Sequence, residues 1–97
     1  MIVRLAYWKV IPEKMSEASA VYYSDQISGV IRQRPGYRFH FLMESTDFPD
    51  EAISLTAWEN QESAESYERS PVYKSLVDKF TAMFSGPERI KYYEAWE

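Results

Sequence analysis

This sequence predicts an α+β fold: a ferredoxin-like β-α-β-β-α-α-β order of elements built on an antiparallel sheet. Three observations carry the prediction. Tyr37 to Ser45 alternates apolar and polar residues with the period of a strand, and a turn-rich loop joins it to a second strand-like run, Ala52 to Glu59. A broad apolar stripe at helical spacing fills Glu13 to Arg34 ahead of that pair. Two helix-start signals, Asn60 and Ser70-Pro71, follow it before a closing aromatic run.

Each element has its own local warrant. Ile2 to Ile11 is short, apolar and rich in β-branched and aromatic residues, which favours a strand. Pro12 ends it and suits the first position of a helix. Met15, Ala18, Tyr22, Gln26 and Val30, flanked by Tyr23, Ile27 and Ile31, predict one long amphipathic helix up to Arg34. Pro35-Gly36 stops it, because the residue before proline avoids helical geometry. In the next strand Tyr37, Phe39, Phe41 and Met43 are expected on one face, with Arg38, His40, Leu42 and Glu44 on the other. Thr46 to Asp50 is turn chemistry and makes a hairpin with Ala52 to Glu59. Asn60 caps a brief helix through Arg69. Ser70 and Pro71 then open a third helix, whose apolar face is Tyr73, Leu76, Val77, Phe80, Met83 and Phe84 and which Gly86-Pro87 terminates. Ile90 to Trp96 reads as the last strand.

Composition narrows the function. Residues 1–97 suffice for one domain with one core, not two. With 16% aromatic residues the chain is well supplied with rigid rings for a pocket or an interface. It has no cysteine, which removes disulfides and thiolate chemistry and fits a cytoplasmic protein. The Met1 to Ile11 run carries Arg4 and Lys9 and does not read as a secretory signal, and no apolar stretch is long enough for a membrane span. A net charge of −4 disfavours nucleic-acid binding, even though Tyr37-Arg38-Phe39-His40-Phe41 has the look of an aromatic base-stacking strand. There is no Gly-x-Ser-x-Gly elbow, and Gly29, Gly36 and Gly86 are too scattered to cradle a phosphate. Leu42 interrupts the polar face of its strand, and Tyr92, Tyr93, Ala95 and Trp96 put aromatics on both faces of the last one. A sheet apolar on both sides needs two covers, so the helices and a second copy of the chain are expected to share the task.

The order and spacing of several segments carry a resemblance: a first strand ending in Pro12-Glu13, then PGYRFHFLMES, DFPDE, ISLTAWENQES, SPVYKSLVDKF and GPER before a tyrosine-bearing strand. Together they resemble the antibiotic-biosynthesis monooxygenase (ABM) family over nearly the whole chain. The resemblance implies a homodimer in which two ferredoxin-like sheets form a dimeric α/β barrel. Haem-degrading relatives are expected to carry an asparagine on the first strand, a tryptophan in the short helix and an iron-ligating histidine in the next. This chain has no first-strand Asn, Tyr67 in place of the tryptophan and Val77 in place of the histidine, so haem degradation is not its reading.

The oxygenase branch implies oxidation of a phenol or quinol by dioxygen with no metal, flavin or haem. An ionised electron-rich ring itself reduces oxygen, and the protein supplies an apolar slot, a proton acceptor and hydrogen bonds to the phenolate. The candidate catalytic residues are Tyr67 and Tyr73, on the helices flanking the pocket, and His40, the one side chain that titrates near neutrality. The competing roles are amphipathic rings for the tyrosines and an interface position for the histidine. Trp58, matching a family tryptophan, is expected to stack on a flat ligand or fill the core. Arg38 is expected to steady a phenolate or to pair with Glu44 or the partner. Tyr7 and Trp8 point to opposite faces, one toward the pocket and one toward the dimer contact. No cofactor is expected. The alternative function is a non-catalytic small-molecule-binding or dimerisation module.

Overall fold

The computed structural model describes residues 1–97, the side chains of Gly86 and Glu88 excepted. Strand β1 (Ile2–Lys9) leads through a 3-10 turn, Pro12–Lys14, into α1 (Met15–Tyr22) and α2 (Ser28–Ile31). Strands β2 (Tyr37–Glu44) and β3 (Glu51–Trp58) follow, then α3 (Gln61–Glu68), α4 (Pro71–Met83) and β4 (Ser85–Glu94). The sheet has the order β2-β3-β1-β4, with every neighbouring pair antiparallel. This is the ferredoxin-like α+β arrangement the sequence predicts.

The two faces of the sheet divide the chemistry. Arg4, Ala6 and Trp8 of β1 are buried beneath the helices, together with Ala52, Ser54, Thr56 and Trp58 of β3 and His40 of β2. Trp8 meets the α4 ring Phe80 edge-on at 5.1 Å and donates through Nε1 to Ser54 Oγ at 3.1 Å, so both its apolar body and its polar tip are satisfied. Phe80, fully buried, also packs on Tyr22 and Phe84. The outer face carries Val3, Leu5, Tyr7, Phe39, Phe41, Met43, Ile53 and Leu55, and no helix lies over it.

Both helix-start signals work as expected. The Asn60 side chain accepts from Ser63 N at 2.9 Å, and Ser70 Oγ accepts from Tyr73 N at 3.3 Å while its own hydroxyl donates to the Tyr67 carbonyl at 2.5 Å. Ser70 thus closes α3 and opens α4. Gly36, at φ +79, makes the turn into β2, where a Cβ would meet Ser63 Oγ and would lie 2.7 Å from Ser63 Cβ.

Three expectations are corrected. The long helix from Glu13 to Arg34 is broken into the 3-10 turn, α1 and α2, and two stripe positions, Gln26 and Val30, are exposed. Serine hydroxyls capture the carbonyls at the break: Ser24 Oγ donates to Val21 O at 2.7 Å and Ser28 Oγ to Tyr22 O at 2.7 Å. Ile27 and Ile31 are thereby still turned inward. Second, Tyr37 does not share a face with Phe39, Phe41 and Met43. The β2–β3 register shifts between Tyr37 and Phe39, so Arg38 is the extra residue of a bulge and Tyr37 joins His40 on the helix side. Third, α4 ends at Met83 rather than at Gly86-Pro87, β4 begins at Ser85 instead of Ile90, and Trp96 lies beyond the strand, 95% exposed.

Candidate functional site

Two aromatic clusters occupy the space between sheet and helices. In the first, Trp58, at the end of β3, stacks on Tyr67 of α3 with ring centroids 5.1 Å apart, and Tyr67 meets Tyr73 of α4 edge-on at 5.2 Å. Trp58 Nε1 donates to Thr56 Oγ1 at 2.9 Å, which fixes the indole. Trp58 and Tyr67 are completely enclosed, so here the interior is filled by the chain's own rings. Burial raises the pKa of the Tyr67 hydroxyl well above that of a free tyrosine. At neutral pH it is a phenol, able to donate a hydrogen bond.

Beside it lies a residue the sequence reading passed over. Arg4 is buried on β1 with 2% of its surface exposed, its Nε bonded to Glu68 Oε1 at 2.6 Å and its Nη2 to Tyr73 Oη at 2.7 Å. Its guanidinium carbon sits 4.5 Å from the centre of the Tyr73 ring and 5.8 Å from that of Tyr67. Burial works against its charge, but Tyr73 and Glu68 outweigh burial and raise its pKa. Tyr92, paired in register with Arg4 on β4, has its hydroxyl buried beside the Arg4–Glu68 pair without hydrogen-bond geometry to either, and its pKa is pushed up to about 12, mainly by burial. The available signal was the run Arg4, Ala6, Trp8, three alternate positions on one strand face whose last member is a tryptophan.

His40 belongs to the second cluster. Its Nε2 lies 2.5 Å from Ser28 Oγ and its Nδ1 2.7 Å from Tyr37 Oη, with the Tyr22 and Tyr23 rings packed around it. Because the Ser28 hydroxyl donates to the Tyr22 carbonyl, Ser28 Oγ must accept from His40 Nε2–H, and in the neutral ring Nδ1 accepts from Tyr37. The neutral ring is therefore the Nε2–H tautomer. Burial, followed by the Arg32 charge, lowers its pKa and favours the same neutral form.

The structure therefore brings Trp58, Tyr67 and Tyr73 together and holds His40 apart from them, with both ring nitrogens engaged. Tyr37 bridges the clusters, its ring 6.2 Å from Trp58 and 5.5 Å from His40. Arg38 stands outside both, exposed at the bulge and bonded to Glu97 Oε1 at 2.6 Å rather than to Glu44. Tyr7 and Trp8 do point to opposite faces. Trp8 is core on the helix side and Tyr7 lies on the outer face, and both line a cavity of about 730 Å³ at the end of the sheet with Met43, Ile53 and Arg89.

The fold is shared with known structures. A protein from Methanosarcina mazei Go1 is 18% identical, with a TM-score of 0.80 over 95% of this chain and 89% of that one. An antibiotic biosynthesis monooxygenase candidate from Caulobacter crescentus is 22% identical, with a TM-score of 0.82 over 99% and 90%. SnoaB, a cofactor-independent oxygenase from Streptomyces nogalater, is 12% identical, with a TM-score of 0.74 over 99% and 93%. At these identities the likeness is one of fold. No curated protein is significantly similar to the chain in sequence. The sequence pattern of the family described as antibiotic biosynthesis monooxygenase matches residues 1–79. A match over that much of the chain, on a sheet and helices of the same order, makes this protein a member of the antibiotic biosynthesis monooxygenase family.

Proposed function

We propose that the protein is a homodimeric, cofactor-independent monooxygenase acting on a small phenol or quinol, with the site at Tyr67, Tyr73 and Trp58. The observation that carries this reading is the grouping of three aromatic side chains from β3, α3 and α4, Trp58 stacked on Tyr67 and Tyr67 edge-on to Tyr73, in a chain that matches the family pattern. Because Trp58 and Tyr67 fill the interior, a phenolic ring enters only where one of these rings gives way, and its oxygen then accepts from Tyr67. The reaction balances without a further reductant. A phenol with a free para position and one dioxygen give a para-quinone and one water; the ring loses four electrons, one oxygen atom enters it, and the other leaves as water with the para ring hydrogen and the phenolic hydrogen. Within this reading Tyr67 donates to the developing phenolate. Tyr73 carries the phenolic proton to the rim, where Glu68 is part-exposed. His40 orders Tyr37 and α2 at one remove from the substrate, and Arg38 lies too far out to contact it.

The outer face supports the dimer. Phe41 is 50% exposed, Met43 38% and Tyr93 48%, on a sheet face that no helix of the chain covers. A self-complementary contact through it would bury Tyr7 and enclose the adjoining cavity.

Oxygen consumption against a panel of hydroquinones and naphthols tests the activity. Uptake in the wild type that falls by about 10²-fold or more in Tyr67→Phe, as expected for losing one donor to a developing oxyanion, supports the assignment. A second reading, a non-catalytic binding module, is favoured by the completeness with which Trp58 and Tyr67 fill the interior. Saturable binding of a naphthol without any oxygen uptake would select it.

A further inference from the structure

Trp58, Tyr67 and Tyr73 do not line the cavity at the end of the sheet, and the floor of that cavity has a direction. Met43 of β2 pairs in register with Ile53 of β3, Ile53 with Tyr7 of β1, and Tyr7 with Arg89 of β4. These four side chains therefore cross the outer face of the sheet in one row, and all four line the cavity. At a strand spacing of about 4.8 Å the row is roughly 14 Å long. It is apolar or aromatic for three positions and cationic at the fourth.

The charges along the cavity are unevenly matched. Lys9 pairs with Asp50 at 3.0 Å, and Glu51 stands opposite Lys9 in the β1–β3 register. The acidic lining residues, Glu44 and Glu51, belong to β2 and β3, on the side away from β4. On the β4 side, the Arg89 guanidinium carbon lies 5.2 Å from the centre of the Tyr7 ring and Lys91 Nζ 5.8 Å from it. Among the described residues neither cation has a carboxylate within ion-pair distance. A ring face attracts a cation but accepts little from its N–H groups, so the fork of Arg89 is open to a bidentate acceptor.

We propose that this cavity is a binding site for a small amphipathic carboxylate, with the head group on Arg89, beside Lys91, and the apolar body along Tyr7, Ile53 and Met43. A pocket of about 730 Å³ with an apolar floor and one charged anchor has the size and make-up of a small-ligand site. Glu44 and Glu51 repel an anionic head from the far end and so fix the orientation. The cavity adjoins the outer face through which the proposed dimer would form, and a second copy there would roof the bound ligand. The site is separate from the Trp58–Tyr67–Tyr73 group and does not depend on the oxygenase reading.

Isothermal titration with octanoate and its neutral analogue octanamide tests it; neither is a phenol, so neither serves the oxygenase reaction. The wild type is expected to bind octanoate saturably and at least about 10-fold more tightly than octanamide, the scale of one charge-assisted contact. Arg89 is exposed, so Arg89→Gln leaves the core intact, and in it the preference disappears. Met43→Glu, which sets a carboxylate on the apolar floor, weakens both ligands and octanoate the more. Absence of octanoate binding, equal affinity for the two ligands, or a preference that survives Arg89→Gln overturns the proposal. So does octanoate that binds the Phe41→Glu variant but not the wild type, a result that would give the cavity to side chains of a second copy.

Discussion

His40 shows how one residue ties local chemistry to the stability of the whole. It links β2 to α2 through Ser28 and to the aromatic interior through Tyr37, and in its neutral form it donates to the first and accepts from the second. Its pKa is lowered by burial and by Arg32, so the unfolded chain takes up a proton more readily than the folded one. The sign follows. The stability His40 contributes is complete above its unfolded value of about 6.5, declines as pH falls below that, and is gone below the depressed folded value. Denaturant midpoints of the wild type should therefore fall between pH 8 and 5 by more than those of His40→Gln. Parallel pH profiles for the two proteins would show that His40 protonation is not coupled to folding.

The elements are held by caps and by a few close approaches, and these differ in consequence. Ser70→Ala removes the cap of α4 and should cost about 1 kcal/mol, leaving a folded protein. Phe80→Ala opens a cavity among Trp8, Tyr22 and Phe84 and should cost roughly 3–5 kcal/mol, much of a small domain's stability. Equal midpoint shifts for the two substitutions in urea would contradict that assignment of depth. The two glycines make a sharper pair. Gly36 combines a left-handed backbone with Ser63 in the way of a side chain, so Gly36→Ala should destabilise by more than about 1 kcal/mol. Gly29 sits in α2, where an added methyl group would find its nearest neighbour, Asp25 Cβ, at 3.7 Å, an ordinary contact. Gly29→Ala should therefore be neutral or stabilise by up to about 1 kcal/mol. Thermal melts of the two variants should move in opposite directions or, at the least, differ by several degrees.

At the scale of the molecule, the question is what covers the second face of the sheet. Phe41 projects from the middle of β2 on that face and is half-exposed, so a charge there leaves the chain's own core intact. Phe41→Glu should yield a folded monomer at micromolar concentration, since a charge buried without a partner in an apolar contact costs more than most single contacts contribute. Sedimentation velocity reads the outcome. A variant that sediments as the wild type does, whatever that state is, would remove Phe41 from any contact between copies. No helix among the described residues is long and apolar enough to cross a membrane.

What the sequence determined by itself was the identity and order of the elements, because those are written in neighbouring residues. The alternation of β2, the Asn60 and Ser70 caps and the glycine before Tyr37 each act within a few positions of themselves. So did the family pattern and the opposite facing of Tyr7 and Trp8. Tertiary structure decided the rest, for reasons of distance and competition. The long apolar stripe of Glu13 to Arg34 suits one helix, but serine hydroxyls and the demand of His40 for a partner break it where the chain must turn inward. A single bulge at Arg38 moves Tyr37 to the other face, and alternation alone does not reveal a bulge. The grouping of Arg4 with Glu68 and Tyr73 joins residues 64 and 69 positions apart, and an arginine on a first strand looks like a solvated charge until α3 and α4 close over it. Periodicity reports which way a side chain points; only the packed chain reports what it meets there.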